Sequence, residues 1–366
     1  MIVRKTEYIQ EVGLVRVVAC LSIILLHSIQ FTIGFEWTEG SPLLDYALLT
    51  AAGILAFGTP AFVFISELLL SHSYPDRFPK AFYKKRILMI LTPFACMAVF
   101  YAIFANYDDP GRLPYVVVLN LMGDYHGWFV LVVFQFYVLH RLFTKFLSRI
   151  PAKVVLAAAF VINAAYLAFF NFVEQPSGGR LVSFVWERGY WVPFLGWIFY
   201  FCLAYYCGRR YDDFLAALDR YKRGIVIGTL LAAAPVLFVN TLNVLGFGSK
   251  RVDMLPLSLM LILLLFLIAS KAKIRSRWLD LIDSCSFGIY LIHYFYLMLY
   301  SGLLDRTADL GYFEIPILFA AALISSIVTV LAVNKLPFGK YILGRAGGRT
   351  GRNGSPGLAA PQKAQG

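Results

Sequence analysis

Residues 12–32 read VGLVRVVACLSIILLHSIQFT, and Arg16 is the one fixed charge among them. A run of this length and character crosses the hydrocarbon core of a bilayer as a single helix, which needs roughly 20 residues. Arg16 and His27 stand eleven positions apart, close to three turns, so they share a face and lie ~16 Å apart along the axis. Taken singly, each has a plain account. An arginine can snorkel to the interface, and a histidine can bond a neighbouring helix. A fixed cation and a titratable base on one helix face is more pointed, because ionisable groups inside a membrane are costly.

Working outward, the same texture recurs nine more times. Apolar runs fall near residues 12–32, 46–70, 87–106, 128–147, 152–172, 190–208, 224–243, 254–270, 284–303 and 313–334. Apolar side chains make up 60% of the chain and charged ones 15%, too little polar surface to cover a water-soluble globule of this size. The expected fold is all-α, a polytopic integral membrane protein of about ten transmembrane helices in the cell membrane, with the lipid bilayer as solvent. No small-residue cleavage site follows Gln30, so the first run is expected to be retained and not removed as a signal peptide.

The basic residues set the orientation. Alternate loops and both ends hold twenty-six Lys and Arg, among them Lys84, Lys85, Arg86, Arg209, Arg210 and those from Lys335 onward. The opposite loops hold six: Arg112, Arg180, Arg188, Lys250, Arg251 and Arg306. The positive-inside rule then places both termini in the cytoplasm. The same scatter excludes nucleic acid as a partner, since the net charge of +12 is spread over short loops and not gathered on a patch. Residues 345–366, rich in Gly and Pro and without apolar period, are expected to form a disordered cytoplasmic tail behind a transmembrane domain of residues 1–344.

Other polar residues sit where lipid is expected. His126 and Trp128 lie at the outer mouth of the fourth run, and Tyr290 and His293 are i,i+3 neighbours in the ninth. For each histidine, a ring satisfied by an adjacent helix is the equal alternative. Glu67 ends the second run at nearly the depth of Arg16, so an ion pair between them is the economical expectation. Lys84-Lys85-Arg86 is either a topology signal or a clamp for an anionic cofactor. His27 is expected to line a polar cavity reaching the cytoplasm on one side and His126 and Trp128 on the other. Cys20, Cys96, Cys202, Cys207 and Cys285 form no CxxC pair, and no metal-ligand cluster, phosphate loop or GxSxG elbow occurs.

Together these residues resemble the integral-membrane acyltransferase-3 family. The family's first-span Arg and His match Arg16 and His27. Its basic stretch before Arg-Ile and a proline matches Arg86-Ile87 and Pro93. Its His-Leu-Trp-Phe stretch matches His126, Trp128 and Phe129, with Gly127 for Leu, and its Ser-Tyr-x-x-Tyr-Leu-x-His matches Ser286 to His293, with Phe287 for Tyr. The usual Ser-Gly-Tyr after the second span is replaced by Ser66-Glu67-Leu68. Gly58-Thr59-Pro60, Gly196 to Phe201 and Tyr290 to His293 are similar to the intercellular-adhesion branch, found in operons for the biofilm polymer poly-N-acetylglucosamine.

The resemblance implies a membrane O-acyltransferase that moves an acetyl or succinyl group from cytoplasmic acyl-CoA (acetyl-CoA or succinyl-CoA), without a metal, to a cell-surface polysaccharide or glycan. Its implied catalytic pair is His27 and Arg16. Arg86, Lys85 and Lys84 hold the donor, while His126, Trp128, Tyr290 and His293 hold the acceptor. Polysaccharide synthase subunits are implied partners. The alternative is an exporter or export subunit for a poly-N-acetylglucosamine-type exopolysaccharide.

Overall fold

The computed structural model describes residues 9–34, 42–75, 78–242, 245, 248–272, 274, 276–307 and 310–347. Among them the chain is helical and contains no strand. The helices are α1 (Gln10–Ile33), α2 (Leu43–Leu55), α3 (Gly58–Ser73), α4 (Phe82–Arg86), α5 (Thr92–Ala105), α6 (Leu113–Leu121), α7 (Phe129–Leu147), α8 (Ala152–Phe172), α9 (Arg180–Trp191), α10 (Ile198–Arg209), α11 (Tyr211–Arg220), α12 (Lys222–Leu242), α13 (Met254–Lys271), α14 (Arg277–Thr307) and α15 (Glu314–Asn334). Ten segments are long and apolar enough to cross a membrane, one for each expected run.

Two crossings are broken, and proline and glycine account for the joints. The second span divides into α2 and α3 at Ala56-Phe57, just ahead of Gly58 and Pro60. Pro60 has no N–H to give to the carbonyl of Ala56, so the helix restarts where that donor is not needed. Gly58 permits contact with α1, since a Cβ there would lie 2.8 Å from both the carbonyl oxygen of Ala19 and Oγ of Ser22. In the third span Pro93 removes the donor to Met89, and residues Ile87–Leu91 widen into a π-helical turn between α4 and α5. The carbonyl of Ile87 accepts the backbone N–H of Thr92 and also its Oγ1–H, the latter at 3.2 Å. The fourth and sixth spans carry the extra helices α6 and α9 at the end away from the basic loops.

α1 is central. Two thirds of its apolar window is buried, against 17% for α8 and for α12, which form the rim. α14 runs parallel to α1: Gln10 Nε2 donates to the carbonyl of Ile274 at 3.0 Å, and His27 packs on Tyr294 further along. One buried cluster gathers around α3, α7, α10 and α13, and a second around α1, α5, α14 and α15. Phe62 and Tyr290 pack against both and mark the seam between them. The expected tail begins differently from its reading. Asn334 Nδ2 donates to the carbonyl of Gly344, and the N–H of Ala346 and of Gly347 reach Asn334 Oδ1 and the carbonyl of Ser284. Residues 348–366 of that tail lie outside the described residues.

Candidate active site

The α1–α14 contact repeats itself at an interval of eleven residues. Arg16 Nη1 lies 2.7 Å from Asp283 Oδ1, and eleven residues on, the rings of His27 and Tyr294 meet at 5.3 Å between centroids. Parallel helices advance together, so equal spacing on both chains returns the same face after three turns. This corrects the expected Arg16–Glu67 pair. Gly58 faces α1, and Glu67 follows it by nine residues, two and a half turns, so Glu67 points to the far side of α3. There it meets His140 of α7, whose Nδ1 lies 2.6 Å from Glu67 Oε1. Sequence reading missed Asp283 and His140. The matched spacing of Asp283 to Tyr294 and of Arg16 to His27 was the available signal for the first.

Further along, three histidines converge. His27 stacks on His293 with centroids 5.6 Å apart, and His126 lies edge-on to His293 at 5.5 Å and parallel to Tyr294 at 5.1 Å. Each ring has one nitrogen committed. His27 Nδ1–H donates to Gln30 Oε1 at 3.0 Å, His293 Nδ1–H to the carbonyls of Ile289 and Tyr290, and His126 Nε2–H to those of Tyr290 and Leu291. Carbonyl oxygens only accept, so the other nitrogen of each ring carries a basic lone pair. Tyr290 closes the loop by donating its hydroxyl to the carbonyl of His126 at 2.6 Å. His126, Tyr290 and His293 thus come together with His27. Gln30, one turn beyond His27, is an orienting partner that sequence reading passed over, although its i,i+3 spacing pointed to it. Among the described residues no group of three His, Cys, Asp or Glu is placed to hold a metal ion.

Trp128 does not join them, a second correction. His126, Gly127 and Trp128 form one 3₁₀ turn, in which positions two apart diverge by about 120°. Trp128 faces Trp191 and Trp197, and Lys250 Nζ sits 4.1 Å from its ring centre and 3.4 Å from that of Trp191. Lys250 is 9% exposed. Burial, with Arg188 nearby, pushes its ammonium well below the usual lysine range. Arg188 itself is held by Glu187 at 3.1 Å and Asp124 at 3.5 Å. A ring so occupied is no open platform for stacking a sugar.

Beside the histidines lies a crevice lined by Cys20, Ile23 and Ile24 of α1, Phe62 of α3, and Ile289, Tyr290 and His293 of α14. It is mainly apolar and has no room for a water molecule.

Arg86 sits at the end of the bundle that bears most of the basic residues. Its guanidinium lies 5.1 Å from the ring centres of both Phe82 and Tyr137, and Arg141 lies 5.6 Å from that of Tyr83. Neither arginine has a carboxylate partner among the described residues. Lys84 and Lys85 are exposed beside them.

Arginines without carboxylate partners among the described residues at one end, and basic imidazoles in a buried cluster, are the parts of a membrane-embedded group-transfer enzyme. The chain belongs to the acyltransferase domain family acyltransferase-3, whose model covers residues 9–334. It is 36% identical over 350 residues, 92% of this chain and 94% of the relative, to the "Putative membrane-bound acyltransferase YfiQ" of Bacillus subtilis. It is 27% identical over 289 residues, 77% of this chain and 81% of the relative, to the "Probable poly-beta-1,6-N-acetyl-D-glucosamine export protein" of Staphylococcus aureus strain Mu50. The Staphylococcus epidermidis protein of that name is 27% identical over 292 residues, 77% of this chain and 79% of the relative. No solved structure matches at a significant level. The protein is a multi-pass cell-membrane acyltransferase.

Proposed function

We propose that the protein transfers a short acyl group from cytoplasmic acyl-CoA to a hydroxyl of a cell-surface polysaccharide or glycan, with the Arg86 end facing the cytoplasm. The observation that carries this reading is the anchoring of His27. With Nδ1–H given to Gln30, the lone pair is on Nε2, in a cluster with His126, His293 and Tyr294. That is the arrangement a general base requires, a fixed ring with the proton on the far nitrogen. Arg86, Lys84 and Lys85 meet the phosphates of the donor by charge-assisted bonds. Arg16, tied to Asp283, positions α1 against α14 at the mouth of the seam. His126, Tyr290 and His293 orient the acceptor, and polysaccharide synthase subunits supply it. Trp128 keeps only an indirect part, holding the turn that presents His126.

The names of the staphylococcal relatives favour a second reading, export of the polymer. A conduit for sugars needs no anchored base, and the fixed ring of His27 supports chemistry instead. The test is polymer acyl content, by NMR of purified exopolysaccharide, in a deletion strain carrying wild type or His27→Ala. Acyl transfer should fall by at least ~10²-fold, the usual size of general-base removal, at unchanged membrane abundance. Normal acylation by a well-expressed His27→Ala variant would remove His27 from the chemistry. Loss of polymer outside the cell, with its acylation unchanged, would favour export.

A further inference from the structure

The crevice beside the histidines holds one protic group the mechanism above does not use. Cys20 lies on the face of α1 that carries Arg16 and His27, ~6 Å beyond the first and ~10 Å short of the second along the axis. It is 3% exposed and lines the crevice with His293. His293 is 1% exposed, and its Nε2 has no hydrogen-bond partner. With its Nδ1–H committed to backbone carbonyls, that nitrogen is a buried base without a donor, a costly arrangement unless something fills it. Of the other lining side chains, Ile23, Ile24, Phe62 and Ile289 have no polar atom, and Tyr290 has given its hydroxyl to His126. The thiol of Cys20 is the remaining protic group of the lining, and it is not hydrogen-bonded to Nε2 as the crevice stands.

We propose that Cys20 is an acyl relay, carrying the acyl group as a thioester between the donor and the acceptor. The inference rests on the acyl-CoA reading above. In the loading step the S–H proton passes to His293 Nε2, the Cys20 Sγ–carbonyl bond forms, and the bond from carbonyl carbon to the CoA sulfur breaks. The CoA thiolate takes that proton back from His293 and leaves as the thiol. In the discharge step His27 removes the acceptor hydroxyl proton, the new oxygen–carbonyl bond forms, and the Sγ–carbonyl bond breaks. The proton taken by His27 returns to the Cys20 thiolate. The relay places the acyl group part of the way from the basic end to His27, and its two steps give separate work to the two histidines.

The test uses the full chain, purified and reconstituted in vesicles, with radiolabelled acetyl-CoA or succinyl-CoA. The sample is quenched in acid and digested, and the label is tested for release by neutral hydroxylamine. Wild type should carry hydroxylamine-labile label on the Cys20 peptide. His27→Ala, loaded but unable to discharge, should hold at least about tenfold more. Cys20→Ser should hold label as a hydroxylamine-resistant oxygen ester. Cys20→Ala should carry none, and cells expressing it should lose polymer acylation by at least about 10²-fold. A Cys20→Ala protein of normal abundance that acylates polymer at the wild-type rate would overturn the relay. So would wild type and His27→Ala chains without label where wild-type cells acylate their polymer. No label in vitro and no acylated polymer in wild-type cells would overturn the acyltransferase reading as well.

Discussion

Removing either member of the Glu67–His140 pair should destabilise the protein far more than removing both. Glu67 is 0% and His140 3% exposed, so neither charge has water to fall back on. His140 Nε2 lies 3.1 Å from the carbonyl of Tyr74, which only accepts, so that nitrogen keeps its proton. The proton between Nδ1 and Oε1 therefore makes the pair net neutral, whichever atom holds it. At 2.6 Å, two unit charges attract by about 6 kcal/mol at an effective dielectric of 20, much of it offset by desolvation. Breaking such a pair costs about 3–5 kcal/mol, whereas an apolar replacement of both members is close to neutral. Glu67→Leu and His140→Phe should each lose about 3 kcal/mol, and the double variant about 1 kcal/mol or less. Steric trapping in bicelles measures the cycle. A coupling energy below about 0.5 kcal/mol would show that the two side chains do not act as a unit, and the placement of α3 against α7 would be wrong.

A reporter active only outside the cell should work when fused after residue 112, 180 or 250 and fail after 80, 149 or 220; the reverse pattern would move the donor to the other face. Lys250→Met keeps the stem packed against the tryptophans and removes a buried charge, so stability should hold or rise by up to about 1 kcal/mol. Because burial lowers the folded pKa of Lys250, the unfolded chain binds more protons between that lowered value and the ordinary 10.5. Stability should therefore climb with pH across that window in wild type and lose that slope in Lys250→Met, as read by thermal midpoints at a series of pH values.

Hydropathy made the ten spans legible because lipid demands long uninterrupted apolar helices, and that demand is written residue by residue. The additions α6, α9 and α11 were hidden because each is too short to register as a span of its own. α11 buries only Tyr211, Phe214 and Leu218 along one stripe at the surface of the bundle. At the site, spacing within one helix served well. Arg16 with His27, and Tyr290 with His293, fell on shared faces. What spacing cannot give is the neighbour across the interface. Glu67 was expected to face Arg16, whereas the contact made by Gly58 turns it to the other side of α3. Trp128 was misjudged for a related reason: proximity in sequence within a tight turn sends side chains apart.

Arg16 poses the remaining question, whether it binds the donor or holds the frame. Its Nη1 is engaged by Asp283 at 2.7 Å, and the Asp283 side chain is 7% exposed. A phosphate drawing the guanidinium away would first have to break that pair. Arg86 and Arg141 have no such pair to break. They stand against aromatic rings without carboxylate partners among the described residues, so phosphate binding falls to them. The two roles separate in kinetics. Arg86→Ala should raise the KM for acyl-CoA about tenfold with kcat nearly unchanged, because a contact made equally in ground and transition states affects binding alone. Arg16→Met should lower abundance and activity together, because it breaks the pair that ties α1 to α14. An Arg16→Met protein of normal abundance with only its KM raised would return Arg16 to the donor site.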